Sequence, residues 1–412
     1  MENLLTLLDK IQQVSPLPIF SQETIVVQNA GMQHWLNMSL AKQRGISMNI
    51  GYALPSQFLW KLVRSLASEE NVPDQSPFSR EVLAWRIDAL LGCKSVMSDD
   101  DFIDATQYWL GKNTKVDVNA DIDIYVDGNQ QTSSLIFNEK QALKRYQLAC
   151  QLADLYEQYL IFRPEWIDDW HQRKTNASFA GNKQTSDVEK WQAKLWQLLT
   201  KEQSYNPIEL MNEAVENIAA KKHLLPPRLS FFGINAMAPM WLSFIGEIGK
   251  HIDVHFFNLN PCFYYWGDIQ SEKQAIDILA RWSDGHDDIS SHVGNPLLAN
   301  LGQQGREFMA LLNNYSKVDI DVFEPIDKSA EAPSLSVLEQ VQQDILSLTD
   351  QRDSTKNQQD DSIVFASAHS ALREVQGLHD WLLHQFNDDK TLTPKDIIVM
   401  CPQVEEYAPY VN

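Results

Sequence analysis

The fold of this chain is decided by residues 24–36, which read Thr-Ile-Val-Val-Gln-Asn-Ala-Gly-Met-Gln-His-Trp-Leu. The β-branched run predicts a buried strand, and the polar residues, the glycine and the helical spacing after it predict a loop and a helix. A phosphate-binding loop at such a turn needs several glycines, a lysine and a serine or threonine, because backbone N–H groups must converge on the phosphates. This turn contains one glycine, Gly31, and no lysine. The stretch therefore predicts an α/β unit whose first turn lacks the residues that hold ATP.

Length and composition indicate a large globular chain. Its 412 residues, 44% of them hydrophobic, suffice for about two to four domains with sizeable cores. No apolar run approaches about 18 residues and the amino terminus lacks the basic start of a signal peptide, so we expect a cytoplasmic protein. The four cysteines are too dispersed for a metal knuckle or a disulfide framework, and their apolar neighbours predict buried free thiols.

The net charge of −21 restricts the kinds of partner that the chain can bind. Non-specific affinity for DNA comes from Lys and Arg that neutralise phosphates, so this charge argues against a protein that coats DNA. Taken alone, it favours a protein partner. A narrow internal channel stays open as an alternative, because local charge and contacts to base edges matter more there than the surface average.

The pattern of apolar residues divides the chain into five segments. Strand and helix periods alternate near both ends, whereas the middle is mostly helical and rich in Trp and Gln. A stretch rich in Pro, Ser and acidic residues follows residue 323 and indicates a linker. We predict an α/β core that begins in 1–90, a mainly helical insertion in 91–225, a return to the core in 226–323, a helix and polar linker in 324–361, and the start of a second α/β domain in 362–412.

Two later strands predict the return to the first sheet. Leu229–Ile234 and Ile252–Phe257 bracket a helix, as in a βαβ unit with parallel strands. Active helicases place carboxylates for magnesium and water after such a strand, whereas here the first strand runs into Asn235-Ala236-Met237. The segment therefore predicts an inactive ATPase site.

The last segment has the pattern of another α/β unit. We predict a strand at Ile363–Ala366, a helix over Val375–Phe386 and a strand at Asp396–Met400. This order resembles the start of the second motor-like domain of superfamily-one helicases.

Apolar and mostly acidic residues alternate at 115–127, which predicts a strand with one acidic face. A calcium loop does not fit, because its sixth and twelfth positions hold Ile122 and Gly128 in place of the glycine and glutamate that an EF-hand needs.

A helix predicted over Lys140–Leu160 carries the side chains that could read DNA. Its predicted buried stripe consists of Leu148, Leu152, Leu155 and Tyr159. Asp154, Glu157 and Gln158 lie three and four residues apart on another face and can converge. Carboxylates accept from cytosine, a glutamine amide can pair with adenine, and Arg163 at the helix end can bind guanine or phosphate. The alternative is a solvated acidic face with Arg163 capping the helix, and the residues alone favour it.

Five further blocks lie in order along nearly the whole chain, at 54–60, 153–166, 260–269, 294–298 and 392–400. The third of them reads Asn-Pro-Cys-Phe-Tyr-Tyr-Trp-Gly-Asp-Ile. Together with residues 24–36, these blocks resemble the RecC family, the gamma chains of exodeoxyribonuclease V (RecBCD). Family members begin with an additional short strand and continue far beyond this length, so the resemblance implies truncation at both ends. The family has no counterpart of residues 115–127, which implies a lineage-specific exposed arm there.

The resemblance implies an inactivated helicase-like α/β fold of superfamily one and no cofactor in this chain. It implies that ATP and Mg²⁺ are used by the partner subunits RecB and RecD, on single-stranded and duplex-end DNA. In the family, the matching positions line the channel of the strand that ends 3′ and help recognise Chi, a short sequence that switches the enzyme from degradation to recombination. They are Gln28, Leu54, Trp60, Asp154, Leu155, Gln158 and Arg163, with Glu157 as a conservative change.

The chain departs from the family pattern at three places. Ala30 stands where the family can carry a threonine, His34 stands where it can carry a glutamine, and a basic contact expected near Asn206-Pro207 is missing. Each difference removes a hydrogen-bonding group or changes its reach. The DNA sequence that would be recognised therefore stays open.

Three functions are compatible with parts of this pattern. The first is a non-catalytic DNA-recognition and scaffold subunit of a three-chain helicase-nuclease in double-strand break repair by homologous recombination. An autonomous ATP-dependent helicase or nuclease would need a Gly-Lys-Ser/Thr loop, whereas the Gly-Lys pairs at 111–112 and 249–250 precede Asn113 and His251. A purely structural subunit or adaptor without base readout stays open, because polar residues in a channel and on a surface look alike in sequence.

Overall fold

The structure is a computed structural model, and it divides the chain into two compact units, Met1–Phe323 and Glu324–Asn412. For residues 124–127, 130–133 and 183–187 the structure describes the backbone and not the side chains. The fold is mixed α/β, mostly helical with a small parallel sheet. The structure describes residues 1–67, 72, 76–111, 124–127, 130–133, 138–172, 183–201, 207–271, 273–274, 276, 293–323, 335–351 and 360–411.

The strands of the first unit form two sheets. They are β1 (Glu23–Val27), β2 (Ile50–Ala53), β3 (Ile124–Asp127), β4 (Gln130–Ser133), β5 (Arg228–Phe232) and β6 (Asp253–Phe257). A parallel sheet has the order β2-β1-β5-β6, and β3 pairs with β4 as an antiparallel hairpin. Because the four parallel strands run the same way, their carboxyl ends lie at one edge, where open α/β sheets bind ligands.

Helices cover this sheet and make up most of the described chain between β2 and β5. Proline opens several of them, because the first helical position needs no N–H partner and suits the fixed φ of proline. The helices are α1 (Glu2–Val14), α2 (Ala30–Arg44), α3 (Pro55–Leu66), α4 (Arg80–Leu91), α5 (Lys94–Met97), α6 (Ile103–Leu110), α7 (Glu139–Phe162), α8 (Pro164–His171), α9 (Lys183–Thr200), α10 (Pro207–Asn217), α11 (Pro239–Ile248), α12 (Pro296–Leu301) and α13 (Gln303–Asn313).

Strand β1 is buried on both faces, which explains its uninterrupted β-branched run. Ile25 and Val27 pack in a core cluster with residues of α1 and α2. Val26 points the other way, into a larger cluster that contains residues of α3, α7 and α11. Both faces of the sheet are thus covered by helices, as a parallel sheet requires.

The predicted βαβ unit is confirmed. Strand β5 pairs in parallel with β1, Val26 opposite Phe231, and β6 pairs with β5 on its other side, with α11 between them in the chain. Strand β2 was not predicted, because its four residues, Ile50–Ala53, are too few to show a period. Its pairing with β1 defines it as a strand.

A buried ion pair joins β1 to β5 at the amino end of the sheet. Arg228 is 2% exposed, and its guanidinium binds both carboxylate oxygens of Glu23 and donates to the carbonyl of Ser15 (2.8 Å). Burial and the charge of Arg228 lower the pKa of His255 on β6. A charged pair therefore lies at the amino end of the sheet.

The strand predicted at 115–127 is described in part. Residues 124–127 form β3, which pairs from Ile124 opposite Ser133 to Asp127 opposite Gln130. Residues 115–123 lie outside the described part of the chain, so the exposed acidic arm stays a prediction.

The second unit has helices α14 (Val337–Leu346), α15 (Ala371–Asp388) and α16 (Val404–Val411). The helix predicted over Val375–Phe386 is confirmed and is longer than predicted. The strands predicted at Ile363–Ala366 and Asp396–Met400 are wrong for the described residues, where both stretches lack a sheet partner. A strand needs a neighbour for its N–H and C=O groups, so apolar character alone does not create one.

Candidate nucleic-acid interface

Helix α7 carries the largest group of predicted site residues. It begins after Asn138, whose Oδ1 accepts from the N–H of Lys140 (2.7 Å) and of Gln141 (3.4 Å), while Gln141 Oε1 accepts from the Asn138 N–H (3.4 Å). It ends at Arg163, because a residue before proline avoids the helical conformation and Pro164 follows. The helix has 24 residues and is about 36 Å long.

The buried face of α7 is not the predicted one. Of the stripe Leu148, Leu152, Leu155 and Tyr159, only Leu152 is buried, and the other three are half-buried. The residues that are buried are Ala149, Leu152, Ala153, Tyr156 and Leu160. Alanines allow neighbouring helices to approach closely, and the Tyr156 hydroxyl reaches a partner by donating to the carbonyl of Gln192 (2.7 Å). The prediction of the stripe was therefore wrong in its rotation about the helix axis.

Helix α4 runs antiparallel to α7 along one side. Near one end of the contact, Arg145 donates to both carboxylate oxygens of Asp88 (2.8 and 3.1 Å), and the rings of Trp85 and Tyr146 lie 4.9 Å apart. The first residue of α4, Arg80, therefore lies beside the carboxyl-terminal half of α7. This is the half that carries the predicted polar residues.

The predicted polar residues of α7 meet one another and the start of α4. Gln158 Nε2 donates to Asp154 Oδ2 (3.0 Å), and Arg80 Nη1 lies 3.5 Å from Asp154 Oδ1. The Glu157 carboxylate accepts from the backbone N–H of Arg80. The predicted convergence of Asp154 and Gln158 is confirmed, whereas their contact with DNA stays a prediction. Leu155 is half-buried beside them.

The environment of Glu157 changes its acidity. Burial raises the pKa of its carboxyl above the ordinary 4.5, and the carboxylates of Glu81 and Asp154 act in the same direction. The hydrogen bond from Arg80 and its charge oppose this rise. Glu157 therefore holds its proton more tightly than an exposed glutamate does.

Arg80 was not predicted as part of the site. It is the first residue of α4, after Ser79, and its side chain is 58% exposed. The sequence shows that a helix begins there, but it does not show which other helix lies beside that start. Arg80 can orient the Asp154 carboxylate or present a positive charge to a phosphate.

Arg163 stands apart from this group. It is exposed at the junction of α7 and α8, where its Nη1 donates to the carbonyl of Phe162 (3.0 Å) and its guanidinium lies 5.9 Å from the Trp166 ring centre. Within the described residues, no hydrogen bond or ion pair joins it to Asp154 or Gln158. The hydrogen bond to the Phe162 carbonyl supports the alternative in which Arg163 caps the end of α7.

Gln28 and Leu54 lie at the carboxyl edge of the sheet. They directly follow the neighbouring strands β1 and β2, whose register places Val26 opposite Ala53, and both are exposed. Trp60 lies on α3, half-buried against the core. Gln28 and Leu54 therefore form a sheet-edge group, and no described hydrogen bond or ion pair joins Gln28 to the polar residues of α7.

The positions that depart from the family pattern border the sheet-edge group. Ala30 and His34 lie in the first turns of α2 and are exposed. Asn206 lies outside the described residues, and Pro207 opens α10. The difference at Ala30 and His34 is therefore a difference in exposed groups, not in the core.

A cavity that was not predicted opens at the carboxyl ends of β5 and β6. Its volume is about 380 Å³. Its site in the fold follows from the strand order, and several of its lining residues belong to the sequence blocks 260–269 and 294–298. The described residues that line it are Asn235, Asn258, Leu259, Asn260, Pro261, Trp266, Leu298, Gly302 and Gly305.

The described residues offer no metal cluster. No three His, Cys, Asp or Glu side chains among them are close enough to hold an ion. The four cysteines are free, as predicted, but only Cys262 is buried and the other three are half-buried. In the described part of the chain, no helix combines the length and apolar character that crossing a membrane requires.

Comparisons with known proteins converge on one family. Residues 1–348 match the family described as RecC, N-terminal domain. The chain is similar to the RecBCD enzyme subunit RecC of Escherichia coli (29% identical, 95% of this chain and 35% of that protein). It is also similar to those of Haemophilus influenzae (30%, 97% and 37%) and Mycolicibacterium smegmatis (27%, 96% and 32%). The chain spans about a third of the length of these relatives.

Proposed function

The chain belongs to the RecC family, and on that basis we propose that it is a non-catalytic DNA-recognition and scaffold subunit of a RecBCD-type exodeoxyribonuclease V. Family membership is the observation that carries this proposal. Proteins similar to the chain are named RecBCD enzyme subunit RecC, so RecB and RecD are the proposed partners. The proposed role is in double-strand break repair by homologous recombination, in the cytoplasm.

The proposed fold is an inactivated helicase-like one, with ATP and Mg²⁺ used by the partner subunits. The turn from β1 to α2 supports this, because Gln28 and Asn29 alone separate strand and helix. Asn29 Oδ1 accepts from the N–H of Met32 (2.9 Å), so a side chain of the protein occupies the start of the helix where a phosphate would bind. A phosphate-cradling loop needs a longer glycine-rich turn and a lysine.

The proposed recognition element is the polar face formed by Asp154, Glu157 and Gln158, and it would contact bases of the strand that ends 3′ to recognise Chi. Two properties of these side chains support this proposal: part of the face is exposed, and its polar groups are held in fixed directions. Gln158 is exposed while its amide is held by Asp154, and Asp154 is in turn held by Arg80. Side chains oriented in this way can distinguish base edges, because base readout depends on the direction of donors and acceptors.

A second candidate is a purely structural subunit without base readout, and one observation favours it. Glu157 accepts from the backbone N–H at the start of α4, and Asp154 pairs with Arg80 of the same turn. Both contacts would also serve to hold α4 against α7, whatever the DNA does. The recognition subunit and the structural subunit therefore share these contacts between α7 and α4. They differ in whether a DNA base also binds to Asp154, Glu157 or Gln158.

The test is assembly of the RecC-family protein with RecB and RecD, followed by digestion of duplex DNA with and without Chi. A Chi-containing strand with photoreactive bases at successive positions maps the contacts. We expect Chi-dependent products and crosslinks to the 154–158 segment. Chi-dependent products without any crosslink to this chain would favour the structural subunit, and failure to assemble with RecB and RecD would overturn the proposal.

A further inference from the structure

The cavity at the ends of β5 and β6 contrasts with the opposite end of the same strands. The amino ends hold the buried ion pair of Arg228 and Glu23. Among the described residues that line the cavity, none is charged. These described residues offer a phosphate, a carboxylate or a metal ion no opposite charge, and they favour a neutral ligand.

Amide groups supply the polar part of the lining. The Asn258 side-chain oxygen is buried and has no hydrogen-bond partner in the described structure. Asn260 Oδ1 accepts from the N–H of Cys262 (3.2 Å) and from Trp266 Nε1 (2.9 Å), which leaves its NH₂ group to donate. Asn235 is exposed just after β5. Amides that donate and accept side by side match the edges of nucleobases.

The apolar part of the lining is flat and fixed. Trp266 is 3% exposed, and its ring lies so close to Gly302 and Gly305 that a Cβ at either position would crowd it. Leu259 and Leu298 complete this side. A ligand with an apolar face and a polar edge therefore suits the cavity.

The loop that forms the cavity also presents aromatic rings to solvent. Tyr264 is 61% and Tyr265 is 55% exposed, and both lie between the lining residues Pro261 and Trp266. Neighbouring exposed aromatic rings provide stacking surfaces for unpaired bases. They need no Lys or Arg, which fits a chain with a net charge of −21.

We propose that this cavity binds an unpaired nucleobase of the single strand that the complex handles, with the neighbouring bases on Tyr264 and Tyr265. The inference rests on the proposed function and adds a base-binding site away from the polar face of α7. The cavity volume lies at the lower end of the range of about 300–1,000 Å³ for small-molecule sites, as expected for one base. Asn258 and Asn260 would contact the base edge.

The test uses the complex assembled with RecB and RecD. A benzophenone side chain placed at position 264 captures whatever lies against the loop when a single-stranded DNA tail is bound. The same complex is then prepared with Asn258→Leu, which removes the amide without breaking a described hydrogen bond. Asn313→Ala, an exposed asparagine on α13 outside the cavity, is the matched control.

We expect capture of DNA at position 264, reduced about fivefold or more by Asn258→Leu and unchanged by Asn313→Ala. Thermal unfolding of each variant checks that the fold is kept, and Asn235→Ala provides a second variant at the exposed rim. Capture of a polypeptide in place of DNA, or equal capture in all variants, would overturn the base site while DNA crosslinks to α7 upheld the proposed function. No DNA crosslink anywhere on the chain would overturn both.

Discussion

The two faces of helix α7 are built from the same 24 residues and are held in different ways. On the buried face, Tyr156 packs against Trp170 and Trp196, with ring centres 6.4 and 5.7 Å away. On the polar face, Asp154 and Gln158 are joined by one hydrogen bond; Gln158 is exposed and Asp154 is partly exposed. Packing of aromatic rings stabilises the buried face, whereas the proposed DNA recognition depends on how the polar side chains are oriented. Substitutions on the two faces should therefore affect stability and recognition separately.

The largest expected effect is on the buried face. Tyr156→Ala should lower the free energy of unfolding by about 3–5 kcal/mol, because it leaves a cavity among aromatic rings. Tyr156→Phe should cost less, about 0.5–1.5 kcal/mol, because it keeps the ring and loses only the hydrogen bond to the Gln192 carbonyl. Urea denaturation followed by tryptophan fluorescence measures both. A loss below about 1 kcal/mol for Tyr156→Ala would show that this face does not hold the helix.

The next effect is on the polar face. Asp154→Ala or Gln158→Ala in the complex with RecB and RecD should weaken Chi discrimination by roughly 1–3 kcal/mol, as expected for one lost base contact. Unwinding, assembly and thermal stability should stay close to wild type. Chi-dependent product formation beside thermal unfolding gives both readouts.

Gln147→Ala is the matched control for Gln158→Ala. Gln147 is exposed on the same face of α7, about 16 Å earlier along the axis. If Gln147→Ala weakens the Chi response as much as Gln158→Ala, the effect belongs to the surface in general. An unchanged Chi response in stable Asp154 and Gln158 variants would reject the recognition role.

A smaller effect is expected from Arg80, the residue of α4 that pairs with Asp154 on the polar face. Arg80→Ala removes an exposed ion pair, so it should change stability by less than about 1 kcal/mol. It should still weaken Chi discrimination, though less than Asp154→Ala does, because it only frees the orientation of that carboxylate. A double-mutant cycle with Asp154→Ala gives the coupling directly. Additive effects on Chi discrimination would show that Arg80 does not position Asp154.

The smallest effect concerns the pH dependence set by Glu157. Because its pKa is raised in the folded state, its contribution to stability is present below about 4.5 and is lost as pH rises through the folded-state pKa. Glu157→Gln cannot undergo this loss. Its melting temperature relative to wild type should therefore rise across that window and then level off.

Thermal unfolding from pH 4 upward follows the difference between wild type and Glu157→Gln. Glu165→Gln, an exposed glutamate in the first turn of α8, is the control for loss of one charge. A constant difference across the pH range, or one equal to that of the control, would contradict the assigned burial of Glu157.

Elements with strong local patterns were predictable. Strand β1 is buried on both faces and so required an uninterrupted apolar run. Helix α7 has its cap at Asn138 and its end before Pro164, and both can be recognised without knowing any neighbour. The spacing of Asp154 and Gln158 fixed their hydrogen bond, because residues four apart on a helix face each other.

Features that depend on neighbours were not predictable. The predicted stripe includes Leu155, but the structure buries Tyr156 instead, whose hydroxyl donates to the carbonyl of Gln192, and leaves Leu155 half-buried. Phe365 lies in a predicted strand, yet it is 94% exposed and the stretch has no described partner.

The sequence by itself determined the parallel core, the long helix with its polar spacing, and the short turn without the residues that hold ATP. These properties depend on residues within a few positions of one another. Only the tertiary structure decided that Arg80 lies beside Asp154, that Gln28 and Leu54 share one sheet edge, and that amides from two strand ends surround one cavity. Those contacts join residues far apart in the chain, and their geometry is set by how helices pack on the sheet.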